Sequence, residues 1–155
     1  MLLVGGVHFV THIIMNETDK AYIAGFIDGE GSIGLRACHS SRGYTYDSYL
    51  IRIKVAQTNE DVLQWIKTMT GVGSVRQRKD VPGYRRAWEW YLAGRNALKV
   101  LHEIYPYLRV KRIQAEIAFE FEKTYVGKGY RLTLEQHGTR SELREKMDCA
   151  NHRED

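Results

Sequence analysis

Glu30, held between Gly29 and Gly31, is the residue of this 155-residue chain best suited to chemistry. Glycines on both sides let the backbone approach a ligand closely. A carboxylate oxygen is also the donor that a hard divalent cation takes. The residues before it read as a helix ending at this corner, and those after it as a strand. At about 100° per residue, Ala21, Ala24, Gly25 and Asp28 share one face; Tyr22, Ile23, Phe26 and Ile27 share the other. The bulky side is a core face. The small side buries little area and instead lets a second backbone come close. A lone glutamate in a turn is usually just a solvated acid, so the surrounding residues must decide its meaning.

Ile23-Ala24-Gly25-Phe26-Ile27-Asp28-Gly29-Glu30-Gly31 resembles, position by position, the motif of the LAGLIDADG homing endonucleases. In that family the motif helices of two subunits, or of two halves of one chain, pack together, and the acid at their foot binds a metal used to cut DNA. From about residue 18 to 117 the element order looks like the single-motif, homodimeric branch. Val55-Ala56-Gln57, Gly71-Val72-Gly73-Ser74-Val75-Arg76-Gln77-Arg78 and Pro106-Tyr107-Leu108-Arg109-Val110-Lys111 carry the likeness beyond the motif.

The resemblance implies a catalytic set of Glu30, Gln57 and Lys111, with Glu30 and the carbonyl of Gly29 as metal ligands. Gln57 would order a water without adding charge, and Lys111 would offset charge building on the phosphate. The implied cofactor is magnesium, with manganese or calcium as substitutes in vitro. Asp28 reads as structural, capping a partner helix or tuning Glu30. The sequence also departs from the pattern: Asn59, Glu60 and Asp61 stand where some relatives keep a further basic residue.

The elements that must position these residues follow from periodicity. The expected order is α-β-β-α-β-β-α and then two helices: an α+β fold with a four-stranded antiparallel sheet. Residues 1–15 read as an N-terminal arm and 16–155 as a single domain, with its core at about 18–130. Strands are expected at 32–38, 44–57, 73–79 and 84–93, and turns at 40–43 and 81–83. Helices are expected at 59–70, 95–105, 110–125 and 133–147. In the 110–125 helix, Ile113, Ile117 and Phe121 form the expected apolar stripe.

Alternation along the strands puts apolar residues on one sheet face and Ser32, Gly34, Arg36, Cys38, Arg52, Lys54, Arg76, Arg78, Arg85 and Glu89 on the other. The net charge of +4 is unevenly spread: residues 32–95 hold eleven Lys and Arg against five Asp and Glu. The basic charge lies where the strands fall, with no helix left to cover it. Strands rising about 3.3 Å per residue make a sheet close to one turn of B-DNA. Arginine on such a face can read guanine and glutamate can accept from cytosine. Duplex DNA is the expected partner, with no small-molecule substrate and no membrane.

The motif occurs once, so one chain supplies one acid where cutting two strands needs two. A two-fold homodimer through Ala21, Ala24, Gly25 and Asp28 would supply the second and impose a pseudo-palindromic target. The resemblance implies an intron- or intein-encoded endonuclease leaving short 3′ overhangs. The alternative on the same scaffold is a non-cutting binder, either an RNA maturase or a transcription factor. Two cysteines, Cys38 and Cys149, make no disulfide framework or zinc site. An intracellular setting is expected, in an organelle (chloroplast or mitochondrion) or the prokaryotic cytoplasm.

Overall fold

Asn16 starts the first helix, α1 (Glu17–Glu30), by reciprocal capping. Its side chain accepts from the Asp19 amide at 2.8 Å, and the Asp19 carboxylate accepts from the Asn16 amide at 3.4 Å. Glu17 and Asp19 also set negative charge at the positive end of the helix dipole. The computed structural model describes residues 15–38, 48–127 and 130–152. The expected arm up to residue 14, the turn at 40–43 and the start of the second strand lie outside them.

The helix passes without a loop into strand β1 (Gly31–Cys38). Gly31 makes this possible: its amide donates to the Ile27 carbonyl, and a Cβ there would lie 2.8 Å from that same oxygen. Strand β2 (Ser48–Gln57) follows, then helix α2 (Glu60–Thr70), capped by Asn59 and closed by Gly71 at φ +66°. Next come β3 (Ser74–Gln77), β4 (Trp88–Ala93) and α3 (Arg95–Ile104). A single 3-10 turn, Tyr105–Tyr107, leads to α4 (Arg112–Glu122) and α5 (Leu134–His152). The sheet is antiparallel throughout, as expected, and its strand order is β1-β2-β4-β3.

One sheet face is core. Ile33, Ile53, Val55 and Trp90 are fully buried beneath Ile23 and Ile27 of α1 and Leu101 and Ile104 of α3. Burial of such side chains contributes about 1.5–3 kcal/mol each. Trp90 keeps its polar atom satisfied by donating to the Val72 carbonyl at 3.2 Å.

Two local expectations are corrected. The hairpin strands are shorter than the alternation implied, and residues 84–87 carry no regular strand. The turn at Val81-Pro82-Gly83 needs Gly83 at φ +83°, and the pairing resumes only where Arg78 donates to the Ala87 carbonyl. Arg85 therefore lies on the hairpin loop rather than on a strand face. The buried side of α4 is also rotated from the expected stripe: Gln114, Ala115, Ala118 and Phe121 face inward, while Ile113 is exposed. Helix α5 packs along that side. Arg140 of α5 donates to Thr124 through Nε (2.9 Å, to the hydroxyl) and Nη2 (2.8 Å, to the carbonyl), and lies over the Phe121 and Tyr125 rings.

The α4–α5 pair covers the outer edge of β1, where Asn151 Nδ2 donates to the Ile33 carbonyl at 3.1 Å. A bonded edge strand is thereby closed to further pairing. Among the described residues, no helix is long and apolar enough to cross a membrane.

Candidate active site and nucleic-acid face

The antiparallel register sets the uncovered sheet face in cross-strand rows. Ser32, Lys54, Tyr91 and Ser74 form one row across all four strands. Gly34, Arg52 and Ala93 form the next, and Ala56, Glu89 and Arg76 another. Arg36 and Cys38 continue along β1 toward its far end. The basic residues read onto one face by alternation thus share that face, Arg85 excepted.

They are not independent of one another. Arg76 donates to Glu89 at 2.8 Å, and its guanidinium sits 5.3 Å from the centre of the Tyr91 ring. Arg36 donates to the Tyr91 hydroxyl at 3.3 Å, which holds the guanidinium pKa above its ordinary value. A chain Arg36–Tyr91–Arg76–Glu89 therefore crosses the sheet. Glu89, expected to reach toward DNA, is instead mostly buried with its carboxylate engaged by Arg76. Tyr91 falls on this face by alternation but is not among the expected DNA contacts. Its signal was present, since it alternates with Trp90 among charged neighbours, but an aromatic on a strand carries no polar signature.

Ser32 Oγ and Arg52 Nε are buried on this face and have no hydrogen-bond partner among the described residues. Buried polar atoms are normally satisfied, so both are equipped to meet a ligand or water. Beyond β3 the loop from Lys79 to Arg86 adds more positive charge around an open groove of 920 Å³, lined also by Arg76, Arg78 and Tyr84.

Glu30 lies exposed where α1 meets this face. A cleft of 180 Å³ gathers Glu30, Gly31, Ser32, Lys54, Ala56, Arg78 and Glu89. Lys54 and Arg78, expected only as DNA contacts, are thus the cations beside the acid. That proximity follows from register, because Gly31 pairs with Val55 and Ser32 with Lys54. Gln57 and Lys111 do not line the cleft. Gln57 ends β2, and its carboxamide oxygen accepts from the amide (2.8 Å) and hydroxyl (3.2 Å) of Thr58.

Lys111 is buried and approaches from the other side of the helix end. Its ammonium donates to the Asp28 carbonyl at 2.7 Å. In return the Asp28 carboxylate accepts from the amides of Arg109 (2.7 Å) and Lys111 (2.9 Å), at the start of α4. A carboxylate thus meets the positive end of α4 and an ammonium the negative end of α1, both favourable to the helix dipoles.

One of the residues expected at a subunit interface, Ala24, is corrected by its placement. Ala24 is fully buried in its own protomer's core, between Ile23 and Ile27, and offers no surface to a partner. The Asp28 carboxylate, for its part, is engaged by the Arg109 and Lys111 amides of its own chain. The side of α1 left uncovered carries Ala21, Tyr22, Gly25 and Gly29. A Cβ built at Gly25 or Gly29 meets nothing within 4 Å. Beside this stripe, Tyr22 meets Trp65 of α2 edge to face at 5.3 Å.

Residues 23–125 match the family model described as LAGLIDADG endonuclease. DNA endonuclease I-CvuI of Chlorella vulgaris is 28% identical over 112 residues, covering 66% of this chain and 63% of that relative's length. Among solved structures, that of I-CvuI in complex with its target in the presence of calcium superposes with a TM-score of 0.62 at 21% identity. It covers 86% of this chain and 95% of that one. The homing endonuclease I-TnaI superposes with a TM-score of 0.65 at 20% identity, over 86% and 96% of the two chains. The match runs from the motif helix through the sheet to the end of α4, so the chain belongs to the LAGLIDADG endonuclease family.

Proposed function

We propose that this protein is a site-specific, double-strand DNA endonuclease that hydrolyses phosphodiesters with divalent metal, working as a homodimer. The observation that carries this reading is the seat of Glu30: an exposed carboxylate at the foot of a helix with a small-residue face, opening onto a sheet of arginines and lysines. The relative I-CvuI is a DNA endonuclease, and it has been solved in complex with its own target and, uncleaved, with the I-CreI target.

Phosphodiester hydrolysis needs a nucleophilic water, neutralisation of charge at phosphorus and help for the leaving oxygen. The donor set suits magnesium, which takes oxygen ligands and keeps several waters. Among the described residues no group of three His, Cys, Asp or Glu gathers. Glu30 and the Gly29 carbonyl would hold the ion together with DNA phosphate oxygens. When bound, such an ion would supply an acidified water and an offset for the phosphate's charge. Within the chain, Gln57 would orient the attacking water, and Lys111 would steady the charge growing on the phosphate oxygens. Lys54 and Arg78, beside Glu30 in the cleft, would hold the phosphate there.

Ser32, Gly34, Arg36, Cys38, Arg52, Lys54, Arg76 and Arg78 would follow the duplex along the open face. Arg85 would meet it from the hairpin loop. One motif per chain supports a two-fold dimer through Ala21, Gly25 and Gly29, with each subunit reading half of a long pseudo-palindrome. Short 3′ overhangs are the expected product.

The test is target selection from a randomised site library, followed by incubation of the selected duplex with and without magnesium. The wild-type protein should cut both strands only with the metal, while Glu30→Gln should bind the duplex and leave it intact. Equal cutting by Glu30→Gln would remove Glu30 from the chemistry. Binding with no cutting by wild type would assign the scaffold to the maturase or transcription-factor class.

A further inference from the structure

We propose that Asp28 is a positioning residue that indexes Lys111 to Glu30; the proposal rests on the endonuclease reading above. Residues 108–111 have no helix or strand of their own between the 3-10 turn and α4. Leu108, fully buried, pins the start of this segment to the core. The Asp28 carboxylate pins the rest, through the Arg109 and Lys111 amides. Lys111 Nζ then returns to the main chain of Asp28 itself. Both ends of the lysine are thus referred to one residue, two positions before Glu30 on the same rigid helix end. The ammonium is tied to α1, the helix that carries the acid, and not to the loop alone. Placement errors near 1 Å at a reacting centre cost on the order of 100-fold in rate, so a segment without its own structure needs such a tie.

The reciprocity has a kinetic signature. Asp28→Asn keeps the shape but can accept from only one of the two amides, since its NH2 faces the other; Asp28→Ala accepts from neither. Under single-turnover conditions at saturating selected DNA, Asp28→Asn should cut about tenfold more slowly, with DNA Kd and dimer mass unchanged. Because Asp28 acts through Lys111, the double variant Asp28→Asn/Lys111→Met should cut no more slowly than Lys111→Met alone. Should Asp28→Ala not fold, the Asp28→Asn cycle carries the test by itself.

Multiplying losses in the double variant would overturn the proposal. So would wild-type cutting by Asp28→Asn, or a defect confined to DNA affinity. Failure of the wild-type protein to cut would sink the endonuclease reading and this proposal with it, whereas the other outcomes sink the proposal alone.

Discussion

Arg76 and Glu89 are cross-strand neighbours on β3 and β4, joined at 2.8 Å, with the arginine side chain 64% exposed and the glutamate 12%. The pair holds a flexible guanidinium against the sheet, where the Tyr91 ring supports it from one side. The pair is exposed on its arginine side and buried on its glutamate side. Its consequence falls on binding: Arg76 is aimed, and one negative charge is kept on an otherwise basic face.

Glu89→Gln should therefore strengthen binding to duplex DNA while blurring sequence preference. Plots of log K against log salt should steepen by about 0.9 as Arg76 becomes available to a phosphate. Binding titrations across a salt series, with selection on a randomised site, check both effects. Weaker binding instead would mean that Glu89 itself accepts from the DNA.

Gly25 separates folding from assembly. Its Cβ position is open within the protomer, so Gly25→Ala should leave the fold intact and favour the helix by roughly 0.5–1 kcal/mol. At a tight two-fold helix contact the same methyl group would hold the partner off. Sedimentation should show a dimer weakened at least about tenfold, a change of about 1.4 kcal/mol, while the melting temperature of the monomer does not fall. An unweakened dimer would move the interface off this face of α1.

Tyr125 supplies a pH dependence of stability. Burial pushes its phenol pKa above the ordinary value, and this outweighs the nearby Arg140 cation, which acts the other way. The folded state therefore holds the proton more tightly than the unfolded chain. The resulting stability is fully present below the unfolded pKa, near 10, and is lost as pH rises through the folded value. Urea midpoints should fall from about pH 9 to about pH 11 in the wild-type protein and fall less in Tyr125→Phe. Equal alkaline losses in both would place the titrating group elsewhere.

The element order and the open basic face were legible because both rest on local periodicity. Ile33 and Leu35 against Ser32 and Arg36, or Ile51 and Ile53 against Arg52 and Lys54, declare their faces within a few residues. Boundaries were less legible around the hairpin. Tyr84 to Trp88 alternates as a strand does, yet the ladder starts only at Trp88, because the turn before it consumes the pairing. On α4, Ile113 satisfies the helical period and is still exposed, because the helix turns Gln114, Ala115, Ala118 and Phe121 inward instead.

The sequence by itself determined the family and the helix that ends at Glu30, since the motif residues are contiguous and their meaning is local. Only the tertiary structure decided what surrounds that acid. Lys54 and Arg78 reach it through strand register, Lys111 meets α1 through Asp28 from more than eighty residues away, and Ala24 belongs to the core. Spacing along a helix gives the angle between two side chains. Which angle faces the core is fixed by what packs against the helix, and that is settled only when the distant segments meet.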